Sequence, residues 1–277
     1  MNCPLCNSES KFAFEAKGHA LRDCAKCSHR FAAIAAGETH VARVYDDSYF
    51  SGGGAGYTDY LAEGEMLKSR GRMYAKKLEK YTNVKGKLLD VGAAAGFILQ
   101  GFADVNWRGV GLEPNAEMAK FGREKFNLDV RCGSLESFET GEKFDLISMI
   151  QVVAHFYNPQ VAFRKAADLL NENGLLLIET WNRESLSARL FGANWHEYSP
   201  PSVLQWFSET GLTEFLKEFG LEKVARGRPP KKISGAHAKS LLKYRLGNSF
   251  LLRMIPDRLN FPYPSEDLFW ALYKKKN

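Results

Sequence analysis

Four of the five cysteines stand in the first 27 residues, as Cys3-Pro-Leu-Cys6 and Cys24-Ala-Lys-Cys27. Each pair has the spacing of a tight knuckle, and the 17 residues between the pairs fall in the range of zinc sites. Two knuckles complete a tetrahedral thiolate shell with no open position, so a zinc ion there would hold the fold and perform no chemistry. Disulfides are the alternative, which a reducing compartment opposes. His29 follows the second pair closely; with four sulfurs already available it reads as a knuckle or surface residue. Cys132 stands apart and reads as a small buried hydrophobe.

A second group of candidates surrounds KLLDVGAAAGFILQ, Lys87 to Gln100. An apolar strand carrying Asp90 breaks into Gly92, Ala93, Ala94, Ala95 and Gly96 before an apolar helix resumes. Residues this small let something other than a side chain approach the backbone. The turn lacks the G-x-G-x-x-G spacing of a dinucleotide site and the lysine of a phosphate loop. Glu113 ends the following strand, in GLEPN, where an acid can accept both hydroxyls of a ribose. Together these features imply a nucleoside-like ligand without a pyrophosphate cradle. Two histidines have the chemistry of a general base near neutral pH. His155 follows a strand in FDLISMIQVVAHFYNP, and His196 lies in NWHEYSPP, near Trp195, Tyr198 and Trp206, which suit a wall for a ring or sugar.

The elements that must position these residues alternate. A helix is predicted from about Glu65 to Lys80, then strands at Lys87–Val91, Gly109–Glu113, Asp129–Cys132, Phe144–Ile150 and Gly174–Thr180. Helices separate them at Phe97–Ala103, Asn115–Phe126 with Asn115 as its cap, and Pro159–Leu170 with proline in its first turn. A helix at Ser208–Phe219, a strand at Leu221–Ala225, a basic amphipathic helix at Ser234–Leu246 and a last strand at Leu268–Tyr273 complete the series. This alternation implies an α/β, doubly wound, mostly parallel sheet. The irregular, aromatic stretch 182–207 is expected to be a lid.

Of the 277 residues 45% are hydrophobic and 25% charged, the balance of a water-soluble globular protein. No run reaches the ~18 apolar residues of a membrane span, and the N-terminus lacks a secretory pattern. A cytoplasmic location is expected. The net charge of +6 is unevenly spread, with Arg226, Arg228, Lys231, Lys232 and Lys274 to Lys276 in clusters. Such runs serve as solvated edges or as binders of a phosphate-bearing substrate.

Five stretches in order resemble class I S-adenosylmethionine-dependent methyltransferases, from about Tyr45 to the C-terminus. LLDVGAAAGF resembles their first motif, D-x-G-x-G-x-G; GLEPN resembles the ribose turn and CGSLESF the adenine turn. FDLISMIQVVAHFYNP resembles the fourth-strand motif ending V-L-E-H, and YSPPSVLQWFSETGLTEFLKEFGLE a later segment of one subgroup. The resemblance implies a seven-stranded Rossmann-like methyltransferase sheet, residues 41–277, preceded by a zinc ribbon, residues 1–40. It implies that Gly92, Ala93, Ala94 and Gly96 admit the methionine portion of S-adenosylmethionine while Asp90 orients the turn. By the same likeness Glu113, beside Pro114, holds the ribose, Ser134 and Leu135 flank the adenine, and Gln151 faces the methionine or sulfonium end. Tyr57 and Tyr60 would close the pocket, or simply pack the core. Departures are Ala94 for the middle glycine, which calls for a negative φ, Ser134 for an aspartate, Ala154 for the V-L-E-H glutamate, and Val203 for a histidine near the proline pair.

The expected activity is methylation of a small molecule or sugar/glycan precursor, with His155 or His196 as base. Two alternatives stand beside it. One is RNA methylation, with Lys11, Lys17, Arg22, Lys26 and Arg30 of the ribbon binding nucleic acid against the offset of Glu9, Glu15 and Asp23. The other is a non-catalytic module that binds S-adenosylmethionine.

Overall fold

A computed structural model describes residues 1–51, 59–83, 85–234, 239, 256, 260–263 and 265–276. Three antiparallel strands open the chain: β1 (Ser10–Ala16), β2 (His19–Cys24) and β3 (Arg30–Ala32). Two short helices, α1 (Glu38–Val44) and α2 (Asp47–Ser51), lead toward α3 (Gly64–Leu78). The alternating part follows: β4 (Lys87–Val91), α4 (Phe97–Ala103), β5 (Arg108–Glu113), α5 (Ala116–Phe126), β6 (Asp129–Cys132), β7 (Phe144–Ile150), α6 (Pro159–Leu169) and β8 (Leu170–Trp181). Then come α7 (Leu186–Phe191), β9 (Gln205–Trp206), α8 (Glu209–Lys217), β10 (Leu221–Gly227), β11 (Lys231–Ser234), β12 (Asn260–Tyr263) and β13 (Leu268–Lys275).

Seven strands form one sheet in the order β10-β13-β8-β7-β4-β5-β6. The run from β8 to β6 is parallel, and β13 lies antiparallel between β8 and β10. Strands β4 and β7 sit in the middle and are apolar on both faces, as a sheet covered by helices on each side requires. Leu89 and Ile147 face Phe163 and Leu216 on one side, while Leu88 and Leu146 face Tyr74 and Phe102 on the other. The seven-stranded, mostly parallel sheet expected from the sequence is the observed one. Among the described residues no helix is long and apolar enough to cross a membrane.

The elements differ from expectation in particular places. β8 starts at Leu170, directly at the end of α6, because Leu170 already pairs with Phe144. The basic helix expected over Ser234–Leu246 lies outside the described residues, apart from Ser234 at the end of β11 and Lys239. Cys132 is exposed instead of buried, since it ends the edge strand β6.

The largest difference concerns the stretch 182–207. Its aromatic residues do not stand over the sheet as a lid. Trp195 and Trp206 are each 1% exposed and pack with Leu21, Ala16 and Ala32 of the ribbon. Tyr198 joins them, edge-on to Phe14, Trp195 and Trp206. A three-stranded ribbon has too little apolar surface for a core of its own, and this stretch supplies one. It also lends a strand: β9 pairs with β3 and makes the ribbon four-stranded, in the order β1-β2-β3-β9.

Candidate active site

The small-residue turn leaves β4 and enters α4 with Gly92 at φ 72° and Gly96 at φ 83°. A Cβ on Gly92 would meet Val152 Cγ2 at 2.9 Å, so both conformation and space require glycine. Ala94 also has a positive φ, 46°, against the expectation of a negative one. That conformation disfavours an L-residue by about 1–2 kcal/mol. Its N–H donates to Glu113 Oε2 at 2.9 Å, which holds the backbone there. The second oxygen of Glu113 accepts the N–H of Asn115 at 2.8 Å. One buried carboxylate thus ties the turn after β4 to the turn after β5. Burial pushes the Glu113 pKa up to about 7 in spite of these two donors. Asp90 sits beneath, accepting the Ser148 hydroxyl at 2.6 Å, and burial pushes its pKa up to about 7 as well.

A cleft opens past the carboxyl ends of these strands, where doubly wound sheets bind ligands. Gly92, Ala94, Glu113 and Pro114 border it, as do Ser134, Leu135, Gln151 and Tyr60. Asp90, Ala93 and Gly96 are not among its lining residues; they support the turn from behind. Tyr57 lies outside the described residues. Tyr60 packs edge-on to Phe50 and tilted on Phe97, so it combines wall and core.

Four further residues had no assigned role in the sequence reading. Gln151, at φ 60°, donates from Nε2 to Glu179 Oε1 at 2.8 Å. Glu179 is 0% exposed and also receives the Tyr74 hydroxyl and, at 3.2 Å, the Arg70 guanidinium. Arg70 reaches the cleft from α3. The signal for Glu179 was an acid ending the apolar run LLLIE. Arg70 offered none, because its partner is remote in sequence. Glu136 borders the cleft and accepts the N–H groups of Tyr157 and Asn158 at 3.1 and 3.4 Å; burial pushes its pKa up to about 7.

Tyr45 is the fourth, and it belongs to His155. The His155 Nδ1 lies 2.8 Å from the Ser202 carbonyl and 2.8 Å from the Tyr45 hydroxyl, which itself donates to Ser202 at 2.6 Å. A carbonyl only accepts, so Nδ1 carries the proton and Nε2 keeps its lone pair. Desolvation lowers the His155 pKa, keeping the ring neutral near pH 7. Burial raises that of Tyr45, keeping the phenol a donor. His196 is placed differently. Its side chain is 67% exposed, pairs with Glu197 at 2.9 Å and does not line the cleft. Trp195 and Tyr198 turn into the core on either side and leave His196 facing outward, which removes it as a base for this cleft.

At the ribbon, the sulfurs of Cys3, Cys6, Cys24 and Cys27 all lie within 4.8 Å of one another. Cys3 and Cys6 are each 3.6 Å from Cys27, and Cys6 is 3.4 Å from Cys24. A tetrahedral zinc–thiolate shell places sulfurs about 3.8 Å apart. The N–H groups of Leu5, Lys26 and Cys27 point at these sulfurs at 3.3–3.4 Å, as knuckles holding thiolates do. All four cysteines are free, and the donor set fits zinc. His29 is neither a ligand nor a surface residue. It is 4% exposed and hydrogen-bonds Gln205 at 2.8 Å.

Comparison with known proteins agrees with the fold. The chain is 27% identical over 146 residues to a ubiquinone biosynthesis O-methyltransferase of Rhodopseudomonas palustris strain HaA2, covering 49% of this chain and 58% of that protein. It is 32% identical over 145 residues to the enzyme of that name from Nitrobacter winogradskyi, covering 50% and 53%. The chain spans about half the length of these curated relatives. Among solved structures, magnesium protoporphyrin IX methyltransferase from Synechocystis PCC 6803, with bound SAH, shares the fold at a TM-score of 0.56 and 11% identity, over 87% of this chain and 100% of that one. Residues 66–226 match the family described as the methyltransferase domain. That match runs from α3 through β10, more than half of the chain and the greater part of its parallel sheet, and the chain belongs to the methyltransferase-domain family.

Proposed function

We propose that the chain is an S-adenosylmethionine-dependent methyltransferase that methylates an oxygen of a small molecule, with His155 as general base. When bound, S-adenosylmethionine supplies an electrophilic methyl group. Glu113 accepts the ribose hydroxyls, Ser134 and Leu135 border the adenine, and Gly92 leaves room for the methionine portion. Gln151 fits the cofactor's ammonium. Its Oε1 is buried and has no hydrogen-bond partner among the described residues, which is an acceptor waiting for a donor. His155 takes the proton of an acceptor hydroxyl on Nε2 while Ser202 and Tyr45 hold Nδ1–H. Zinc on Cys3, Cys6, Cys24 and Cys27 holds the ribbon and takes no part in the transfer.

The observation that carries this reading is one cleft joining Glu113 and Gly92 to an oriented, neutral imidazole. The names of the relatives support an oxygen acceptor. A sugar or glycan acceptor drew its support from the aromatic lid and from the basic stretch near Arg228; of these, Trp195, Tyr198 and Trp206 are core. An RNA acceptor drew on the ribbon's cations, yet Arg30 is held by Asp23 and stacked over Phe14, and Arg22 is bound to Ser10. A module without activity drew on Ala154 and Val203. Both side chains are buried, 1% and 2% exposed, and neither borders the cleft, so the two positions belong to the core. The free thiols and the cofactor suit a cytoplasmic setting.

The test is transfer of a labelled methyl group to hydroxylated aromatic quinone precursors, with nucleotide-linked sugars and RNA in parallel. His155→Ala should lower kcat by about 10²–10⁴-fold at neutral pH and leave the Kd for S-adenosylmethionine nearly unchanged. Full turnover in that variant removes the base assignment, and transfer only to RNA removes the small-molecule acceptor.

A further inference from the structure

The ribbon touches the loop that carries His155 through a short stretch of chain. Residues 202–206 lie between the two. On one side β9 pairs with β3, Phe31 opposite Gln205, and the Ala32 N–H donates to the Leu204 carbonyl at 2.9 Å. On the other side the Leu204 N–H donates to the Ala154 carbonyl at 2.9 Å, and the Ser202 carbonyl receives His155 Nδ1–H. The strut is therefore bonded to the ribbon along one edge and to the His155 turn along the other.

One side chain crosses it. Gln205 is 4% exposed; its Oε1 lies 2.8 Å from His29 Nε2, and its Nε2 donates to the Phe156 carbonyl at 3.1 Å. The amide can take only this orientation, because the reverse would set its carbonyl against that of Phe156. His29 must then donate from Nε2. The backbone carbonyl of His29 in turn accepts the N–H of Cys24, one of the four clustered cysteines, at 2.8 Å. The path is continuous: cysteine cluster, His29, Gln205, Phe156 carbonyl, His155. Phe156 follows the single helical turn Val153–His155, at φ −61° and ψ 126°, where the chain turns extended. A bond to its carbonyl sets where that turn ends, and so where the imidazole stands.

We propose that Gln205 is a positioning residue for His155, and that the cysteine ribbon orients the catalytic imidazole through it. The proposal rests on the reading of His155 as base. Gln205 touches no substrate and does not line the cleft. It acts by keeping the Phe156 carbonyl paired and the His155 turn in one register, since a buried carbonyl that loses its donor will move to find another. A ribbon that served only as a separate module would need no polar side chain reaching through a strand to a catalytic loop.

The decisive substitution is Gln205→Glu, made in the full chain. The carboxylate still accepts from His29 but cannot donate to Phe156. Expected are a kcat lowered by about 10- to 10²-fold, a Kd for S-adenosylmethionine within twofold of the parent, and imidazole nitrogen NMR shifts of His155 that report mixed tautomers where the parent shows Nδ1–H alone. His29→Leu should behave the same way. His29→Gln, whose amide N–H reaches as far as Nε2, should restore most of kcat. Parental kcat and a parental His155 tautomer in Gln205→Glu would overturn the proposal. So would a loss of kcat matched by equal losses of melting temperature and cofactor affinity, which marks a structural role. If instead the tautomer shifts while His155→Ala itself turns over normally, the positioning stands and the base assignment falls.

Discussion

The two ends of the cleft are built in opposite ways. At the end proposed for the cofactor, the turn after β4 lies only 19 residues from the acid that ends β5, and that one side chain, Glu113, ties together the turns after β4 and β5 by two backbone hydrogen bonds. At the acceptor end, His155 depends on Tyr45, 110 residues away, on Ser202, 47 residues away, and on a strut that the ribbon holds in place. The first end is a local construction on adjacent parallel strands, which any sheet of this topology provides. The second is assembled from four separate parts of the chain. The cofactor end should therefore tolerate damage to the ribbon, and the acceptor end should not.

The largest expected effect tests the local construction. Gly92→Val places a β-branched residue at φ 72° with its Cβ against Val152, in a conformation such residues almost never adopt. Calorimetry should find no binding of S-adenosylmethionine, and retained micromolar affinity would mean that the cofactor lies elsewhere. An intermediate effect separates the two ends. Cys24→Ser, or removal of zinc by a strong chelator, should lower the melting temperature and reduce kcat on the order of tenfold, with cofactor affinity little changed. Metal analysis of the parent should find zinc, and its absence, or disulfides in its place, would break the distinction at its source.

The smallest effect is a pH dependence at the cofactor end. Glu113 is pushed up to about 7 from the ordinary carboxylate value by burial. Its protonated form prevails below that pH, and only the ionised form accepts two ribose hydroxyls. Affinity for S-adenosylmethionine should rise between about pH 6 and about pH 8 and level off above, and Glu113→Gln should flatten the rise. The free chain should follow the opposite sign. A carboxyl with a raised folded pKa contributes stability that is full below its unfolded value, near 4.5, and is lost as pH rises through about 7. Asp90 and Glu136, raised to about 7 by the same burial, act in the same direction. Melting of cofactor-free Glu113→Gln against the parent at the two pH values measures the share of Glu113.

What could be read from the sequence divides along the line between the two ends. The knuckles Cys3–Cys6 and Cys24–Cys27, the turn Gly92 to Gly96, Glu113 and the strand series were legible because each is a pattern within a few residues or a fixed period of alternation. Gln151 and Ser134, which line the cleft, were singled out by resemblance of short motifs. Tyr45, Arg70 and Glu179 were missed, because a phenol, a guanidinium and an acid acquire meaning only from partners. Glu179, for instance, gathers Gln151, Arg70 and Tyr74 from 28 to 109 positions away. The aromatic stretch 182–207 was misread for a related reason. Composition revealed a surplus of aromatic surface, but whether that surface meets a ligand or another layer of protein is set by what packs against it.

By itself the sequence determined the sheet, the paired cysteines and the small-residue turn, since local sterics, hydrophobic period and residue spacing act along the chain. Only the tertiary structure decided that the ribbon borrows β9 and three aromatic residues for its core, that His29 is buried against Gln205, and that His155, not His196, faces the cleft. These outcomes rest on contacts between segments as far as 176 residues apart, where the burial of one surface depends on which other surface the fold brings to it.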